Sequence, residues 1–147
     1  MLSNASKYAI RAMLFLVLHS DKKNKLGSKY LADALEIPEP FLAKLLQQLV
    51  RNKLLSSTKG PRGGFYISDA NAKNNVCQII EEIDGHPMFD KCFMGLDRCS
   101  EENPCPLHHV VVEFKENLLE KFQSLSLKEF ANDIQLKGQF LSLKTTD

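Results

Sequence analysis

The sequence predicts a mainly α-helical chain: a winged helix-turn-helix with a small two-stranded wing, plus a long dimerisation helix. Three observations carry this expectation. Apolar residues recur at three- and four-residue spacing through most of the chain. Two short helical patterns, at 29–35 and from Pro38 to about Asn52, are joined by the tight turn Glu36-Ile37. Directly after them, Gly60-Pro61-Arg62-Gly63-Gly64 separates the β-prone runs 54–59 and 65–68, which reads as a hairpin.

Taken in order, the first helix covers 4–18. Ser3, Asn4 or Ser6 can cap it, and Tyr8, Ala9, Ala12, Met13, Phe15 and Leu16 form a wide apolar face. Residues 21–26 are a polar loop. Ser28 is the expected N-cap of the second helix, whose first free N–H groups offer a site for a phosphate. Pro38 and Pro40 fall at the start of the third helix, where a missing amide has no intrahelical partner anyway. Its buried face is Phe41, Leu42, Leu45, Leu46, Leu49 and Val50; Ala43, Lys44, Gln47, Gln48 and Arg51 lie outside.

Residues 69–75 read as a polar linker, and 76–84 as a short amphipathic helix stopped by Gly85 and Pro87. A loop over 86–104 leads to the long helix, expected from Cys105 to about Ser124. Its apolar positions Leu107, Val111, Phe114, Leu118, Phe122 and Leu125 step by 4, 3, 4, 4 and 3, close to a coiled-coil seam. So narrow a stripe needs a partner, and a twofold-related copy, giving a homodimer, is the usual one. Ser126 with Glu129 predicts a capping box, and Leu125 with Phe130 a hydrophobic staple, for a last helix ending near Asp133. The expected organisation is a winged helix-turn-helix at 1–70, a loop-and-dimer-helix region at 76–134, and a tail at 135–147.

The chain has 147 residues, 44% hydrophobic and 25% charged, the balance of a soluble globular protein. Its net charge of +1 hides an asymmetry: residues 1–75 hold 12 Lys/Arg against 5 Asp/Glu, and residues 76–147 hold 7 against 13, so the halves carry +7 and −6. A basic half beside an acidic half is a footprint of polyanion binding, here double-stranded DNA. The longest apolar run, 12–18, is far short of the roughly 20 residues of a membrane span, and no small-residue cleavage site precedes Asp21-Lys22-Lys23. A cytoplasmic protein with no membrane partner is expected. No Ser/His/Asp set or paired carboxylates suggest an enzyme.

Chemistry concentrates in the loop before the long helix. Cys92-x6-Cys99-x5-Cys105-x2-His108 places three thiols and an imidazole within seventeen residues, a full donor set for a metal or iron–sulfur centre. Structural zinc suits the same four side chains, although the pattern lacks the short Cys pair usual in zinc sites. Cys77, between apolar neighbours on a helix, is expected in the core, and His19, His86 and His109 at the surface.

On the basic half, Lys44, Gln47 and Gln48 are placed to read base edges. Tyr8, Ser28, Lys29 and Arg51 suit phosphates, and Lys59 and Arg62 sit at the wing tip, where charge cannot serve a core. Three function classes remain open on the residues alone. They are a metal-responsive DNA-binding regulator, a winged-helix protein with structural zinc or no metal, and a redox or electron-transfer protein with an acidic partner.

These pieces together resemble the Rrf2 family of bacterial winged-helix regulators, and within it the iron–sulfur branch of the IscR and NsrR types. The resemblance rests on Lys7-Tyr8-Ala9-Ile10-Arg11-Ala12, Phe41-Leu42-x2-Leu45-Leu46-x2-Leu49, Gly60-Pro61-Arg62-Gly63-Gly64-Phe65, the three-cysteine loop and Leu125-Ser126-Leu127-Lys128-Glu129, spanning about 1–134. It implies a homodimer on a pseudo-palindromic operator, acting most often as a repressor. Recognition helices would lie in the major groove and wings in the minor groove, with affinity set by a cluster that responds to iron, redox or nitric oxide status. In the IscR type a histidine three residues after the third cysteine completes a 2Fe-2S site, and Cys105-Pro106-Leu107-His108 matches. The six-residue gap between Cys92 and Cys99, where such relatives often have five, keeps 4Fe-4S open.

Overall fold

Helix α1 (Asn4–His19) is the centre of the molecule, because its apolar face is wide enough to be covered from several sides at once. Ala9, Ala12, Met13 and Leu16 on it are fully buried. The structure, a computed structural model, describes residues 2–85 and 89–138; His86 and the tail from 139 onward lie outside the described residues. Ser3 caps α1 by accepting from the Ser6 amide at 3.0 Å.

The helix-turn-helix forms from α2 (Ser28–Leu35) and α3 (Glu39–Arg51). Glu36 closes α2 in the left-handed conformation (φ 55°, ψ 47°), and Ile37 turns into the core. Arg11 on α1 donates to the Leu35 carbonyl at 2.7 Å, which satisfies an end carbonyl of α2 and fixes the turn. Two expectations are corrected. Ser28 is the first helical residue, not the cap; Gly27 stands at the cap position, with no side-chain cap. Phe41 is 40% exposed instead of buried, because it leans edge-on against Tyr8, ring centroids 5.7 Å apart.

The wing consists of β1 (Ser56–Thr58) and β2 (Gly64–Tyr66), antiparallel, with Ser57 opposite Phe65. Leu26, expected in a loop, extends this pairing: its amide donates to the Phe65 carbonyl at 2.9 Å, and the Phe65 amide returns a bond of 2.8 Å. Gly64 permits that approach. Its φ is +146°, and a Cβ there would sit 2.8 Å from the Leu26 carbonyl oxygen.

The expected linker is ordered as a short helix, α4 (Asp69–Ala72), with a capping box between Ser68 and Asn71. Asn71 is buried and also accepts from the Ser56 hydroxyl at 2.7 Å and donates to the Lys53 carbonyl at 3.2 Å. One amide thus ties the wing's first strand to the segment that leaves the wing.

Helix α5 (Val76–Asp84) buries Val76, Ile79 and Ile80 against α1. Helix α6 (His108–Ser124) begins after a turn in which the His108 amide donates to the Cys105 carbonyl at 2.9 Å, so Cys105 lies before the helix and not in it. Helix α7 (Leu127–Leu136) has the expected Ser126–Glu129 capping box and extends past Asp133. Its Leu127, Ala131 and Ile134 join a hydrophobic cluster that begins at Ala9, so the basic and acidic halves share one core. Among the described residues no helix is long and apolar enough to cross a membrane.

Candidate functional site

The four sulfur and imidazole donors stand around the start of α6. His108, the helix's first residue, is 4% exposed, and its Nδ1 lies 3.4 Å from the Cys99 Sγ. Cys92 is buried and hydrogen-bonded to Cys105. The donors therefore form two pairs. Among the described residues no group of three His, Cys, Asp or Glu side chains is close enough to hold a metal ion.

Burial by itself raises the Cys92 thiol. The backbone amides of Leu96 and Met94 point at the sulfur, Cys105 bonds to it, and the Lys115 ammonium lies nearby; together these hold the thiol below its ordinary value. Amides aimed at sulfur are the environment that stabilises thiolate ligands. By its chemistry, three thiols and one imidazole, the donor set fits an iron–sulfur group, although here it stands as two pairs. Cys77 behaves oppositely. It is 3% exposed on α5, and burial, then the Glu81 carboxylate, push its thiol up, as expected of a core cysteine.

A cavity of about 440 Å³ opens between this loop and α6, lined by Phe89, Cys99, His108, Val112, Lys115 and Leu119 among others. His108, Val112, Lys115 and Leu119 recur at helical spacing, so one face of α6 looks into the loop. The residues expected at a dimer seam occupy a different face. Leu107 (41%) and Phe114 (49%) are exposed, and Val111 and Leu118 are half-buried. Phe122 departs from that expectation and packs against the shared core. Val110, 72% exposed, extends the apolar stripe and was not expected there.

On the basic half, a groove of about 520 Å³ runs between α3 and the wing. Gln47, Arg51, Thr58 and Lys59 line it. Lys29 and Lys44 are exposed, as is Arg62 at the wing tip, and Tyr8 is half-buried beneath Phe41. Two expected contacts are engaged elsewhere. Gln48 turns to α5, donating to Glu82. Ser28 donates its hydroxyl to the Glu39 carboxylate at 3.2 Å, which places negative charge where a phosphate was expected. The signal missed for Gln48 lies in α5, whose acidic end supplies an acceptor that no pattern within α3 reveals. Lys115 was also missed, although its seven-residue spacing from His108 puts both on one face.

Comparison with known proteins identifies the family. The family model of Rrf2, described as an iron-dependent transcriptional regulator, matches residues 2–133. A proposed HTH-type transcriptional regulator of Aquifex aeolicus is 33% identical over 132 residues, covering 88% of this chain and 90% of that protein. The HTH-type transcriptional regulator IscR of Photorhabdus laumondii is 29% identical, over 90% of this chain and 79% of its own length. Among solved structures, CymR of B. subtilis, titled a global cysteine regulator, superposes with a TM-score of 0.72 at 17% identity, covering 90% of this chain and 97% of CymR. IscR of T. potens gives 0.67 at 20% identity, over 95% and 92%.

Proposed function

The chain belongs to the Rrf2 family of transcriptional regulators, which are not enzymes, and from that premise we propose that its grip on DNA is set by an iron–sulfur cluster. Cys92, Cys99, Cys105 and His108 would hold the cluster, with 2Fe-2S favoured by the histidine after the third cysteine. The observation that carries this reading is the buried His108 imidazole against the Cys99 sulfur at the first turn of α6. A cluster held there would supply reversible one-electron chemistry, and the His108 imidazole would make the ligand set labile, because protons compete with iron for its nitrogen.

The chain's own residues do the rest. Lys44 and Gln47 are presented to base edges in the major groove. Arg51 and Lys59 line the adjoining groove, with Lys29, Tyr8 and the wing-tip Arg62 placed for phosphates or the minor groove. The exposed stripe of Leu107, Val110 and Phe114, with Val111 and Leu118 beside it, is the surface on which a second copy would pack, so that two recognition helices meet a pseudo-palindromic operator.

The test is anaerobic purification followed by reconstitution with iron and sulfide, with selection of bound DNA from a random pool in both forms. Visible absorption with matching iron and sulfide, and different affinities of the two forms for the selected site, support the proposal. A colourless protein that binds the site equally well in both states overturns it. That outcome would favour a structural zinc site or none, a reading suggested by the pairing of the donors in twos.

A further inference from the structure

Among the described residues of the acidic half, Lys115 is the buried charge that the proposed function does not use. It lies two turns along α6 from His108, on the same face, and is only 7% exposed. A buried ammonium loses solvation and needs a partner. Its partner here is a main-chain group: Nζ donates to the Lys91 carbonyl, the residue before Cys92. The other charges lining the same cavity, Asp90, Arg98, Glu101 and Glu116, are all exposed and so are screened by water and salt. Lys115 is not.

We propose that Lys115 is a positioning residue for the cluster, which latches the Cys92 end of the loop to α6 and fixes one positive charge beside the sulfur ligands. The inference rests on the iron–sulfur reading for its second half and on the loop geometry alone for its first. The latch works because the bond is charge-assisted and shielded from water, and because its acceptor is backbone, so it restrains the chain itself. The charge matters because three thiolates, two sulfides and two ferric ions leave a ferric 2Fe-2S site anionic, and one added electron makes it more so. A shielded cation favours that reduced state.

The experiment compares Lys115→Met, of similar length and uncharged, with Lys115→Arg. Met keeps the length and the apolar contacts of the lysine stem and removes only the ammonium, so the Met variant is expected to fold. In metal-free protein, amide exchange over residues 89–99 should quicken about tenfold in Lys115→Met, the effect of losing one hydrogen bond from a charged donor. In reconstituted protein titrated with dithionite and mediator dyes, Lys115→Met should shift to a more negative midpoint potential, and Lys115→Arg should restore it. Unchanged exchange in the metal-free protein, or an unchanged potential in a loaded Lys115→Met, overturns the proposal. If wild type takes up neither iron nor sulfide, the cluster reading fails on that result alone, and the exchange experiment still decides the latch.

Discussion

Gln48, on the second helix of the helix-turn-helix, donates its side-chain amide to Glu82 of α5, 3.0 Å from the main-chain carbonyl and 3.1 Å from Oε1. Asn52, one turn further, donates to the same Oε1 at 2.6 Å. The acidic end of α5 thus holds the last turn of α3, three residues before the loop begins at Gly85.

Adjacent glutamines should therefore separate in their effects. Gln48→Ala is expected to lower stability by about 1 kcal/mol, the net value of a partly buried hydrogen bond. It should leave the preferred DNA sequence unchanged. Gln47→Ala is expected to cost about 1–3 kcal/mol of discrimination at one base position, with unaltered melting. Thermal denaturation and binding to single-base variants of the selected site check both; a reversal would move Gln48 into the interface.

Asn71 should be the most sensitive polar residue among those that anchor the wing. Asn71→Ala removes bonds to Ser56, Ser68 and the Lys53 carbonyl at a buried position, and is expected to destabilise by about 2 kcal/mol or more. Urea denaturation measures it. A loss within error would mean that water replaces the side chain without penalty.

The wing tip should act through charge. Lys59→Ala and Arg62→Ala are each expected to weaken binding to all sequences alike, and to reduce the slope of log affinity against log salt by about one. Slopes equal to wild type in both variants would take the wing off the DNA.

Thiol chemistry should divide the four cysteines. Cys77 is buried, and its thiol is pushed up first by burial and then by Glu81, so iodoacetamide should modify it last in folded, metal-free protein. Cys77→Ala is expected to keep visible absorption after reconstitution, whereas Cys99→Ala and His108→Ala are expected to lose it. Mass spectrometry of the labelled peptides and an absorption spectrum suffice. Rapid labelling of Cys77 would contradict the packing of α5.

Acid should loosen the start of α1. Burial opposes the charge of Asp84, but hydrogen bonds from the Ser3 hydroxyl and amide hold its carboxyl below the ordinary 3.8 in the folded chain. The unfolded chain takes up the proton first as pH falls, so this contribution is present above the ordinary value and is lost as pH drops through the lower folded one. The stability gap between wild type and Asp84→Asn should accordingly close below about pH 4. A gap constant down to pH 2 would show that the carboxylate charge is irrelevant there.

Much was legible in the sequence, because local patterns report local physics. Helical spacing located α1, α3, α5 and the long helix, glycines marked the wing, and Ser126 with Glu129 announced the cap of α7. The cysteine spacing named the donors of the candidate centre. What escaped involves partners distant along the chain. The Leu26–Phe65 pairing, the capture of Gln48 by Glu82 and the anchoring of Lys91 by Lys115 join segments 24 to 39 residues apart. Periodicity says which side of a helix is apolar. It cannot say which polar group from another element waits there, and burial then makes that one acceptor decisive. Residue order determined most of the elements and the chemistry on offer; only their packing decided which side chains remain free to use it.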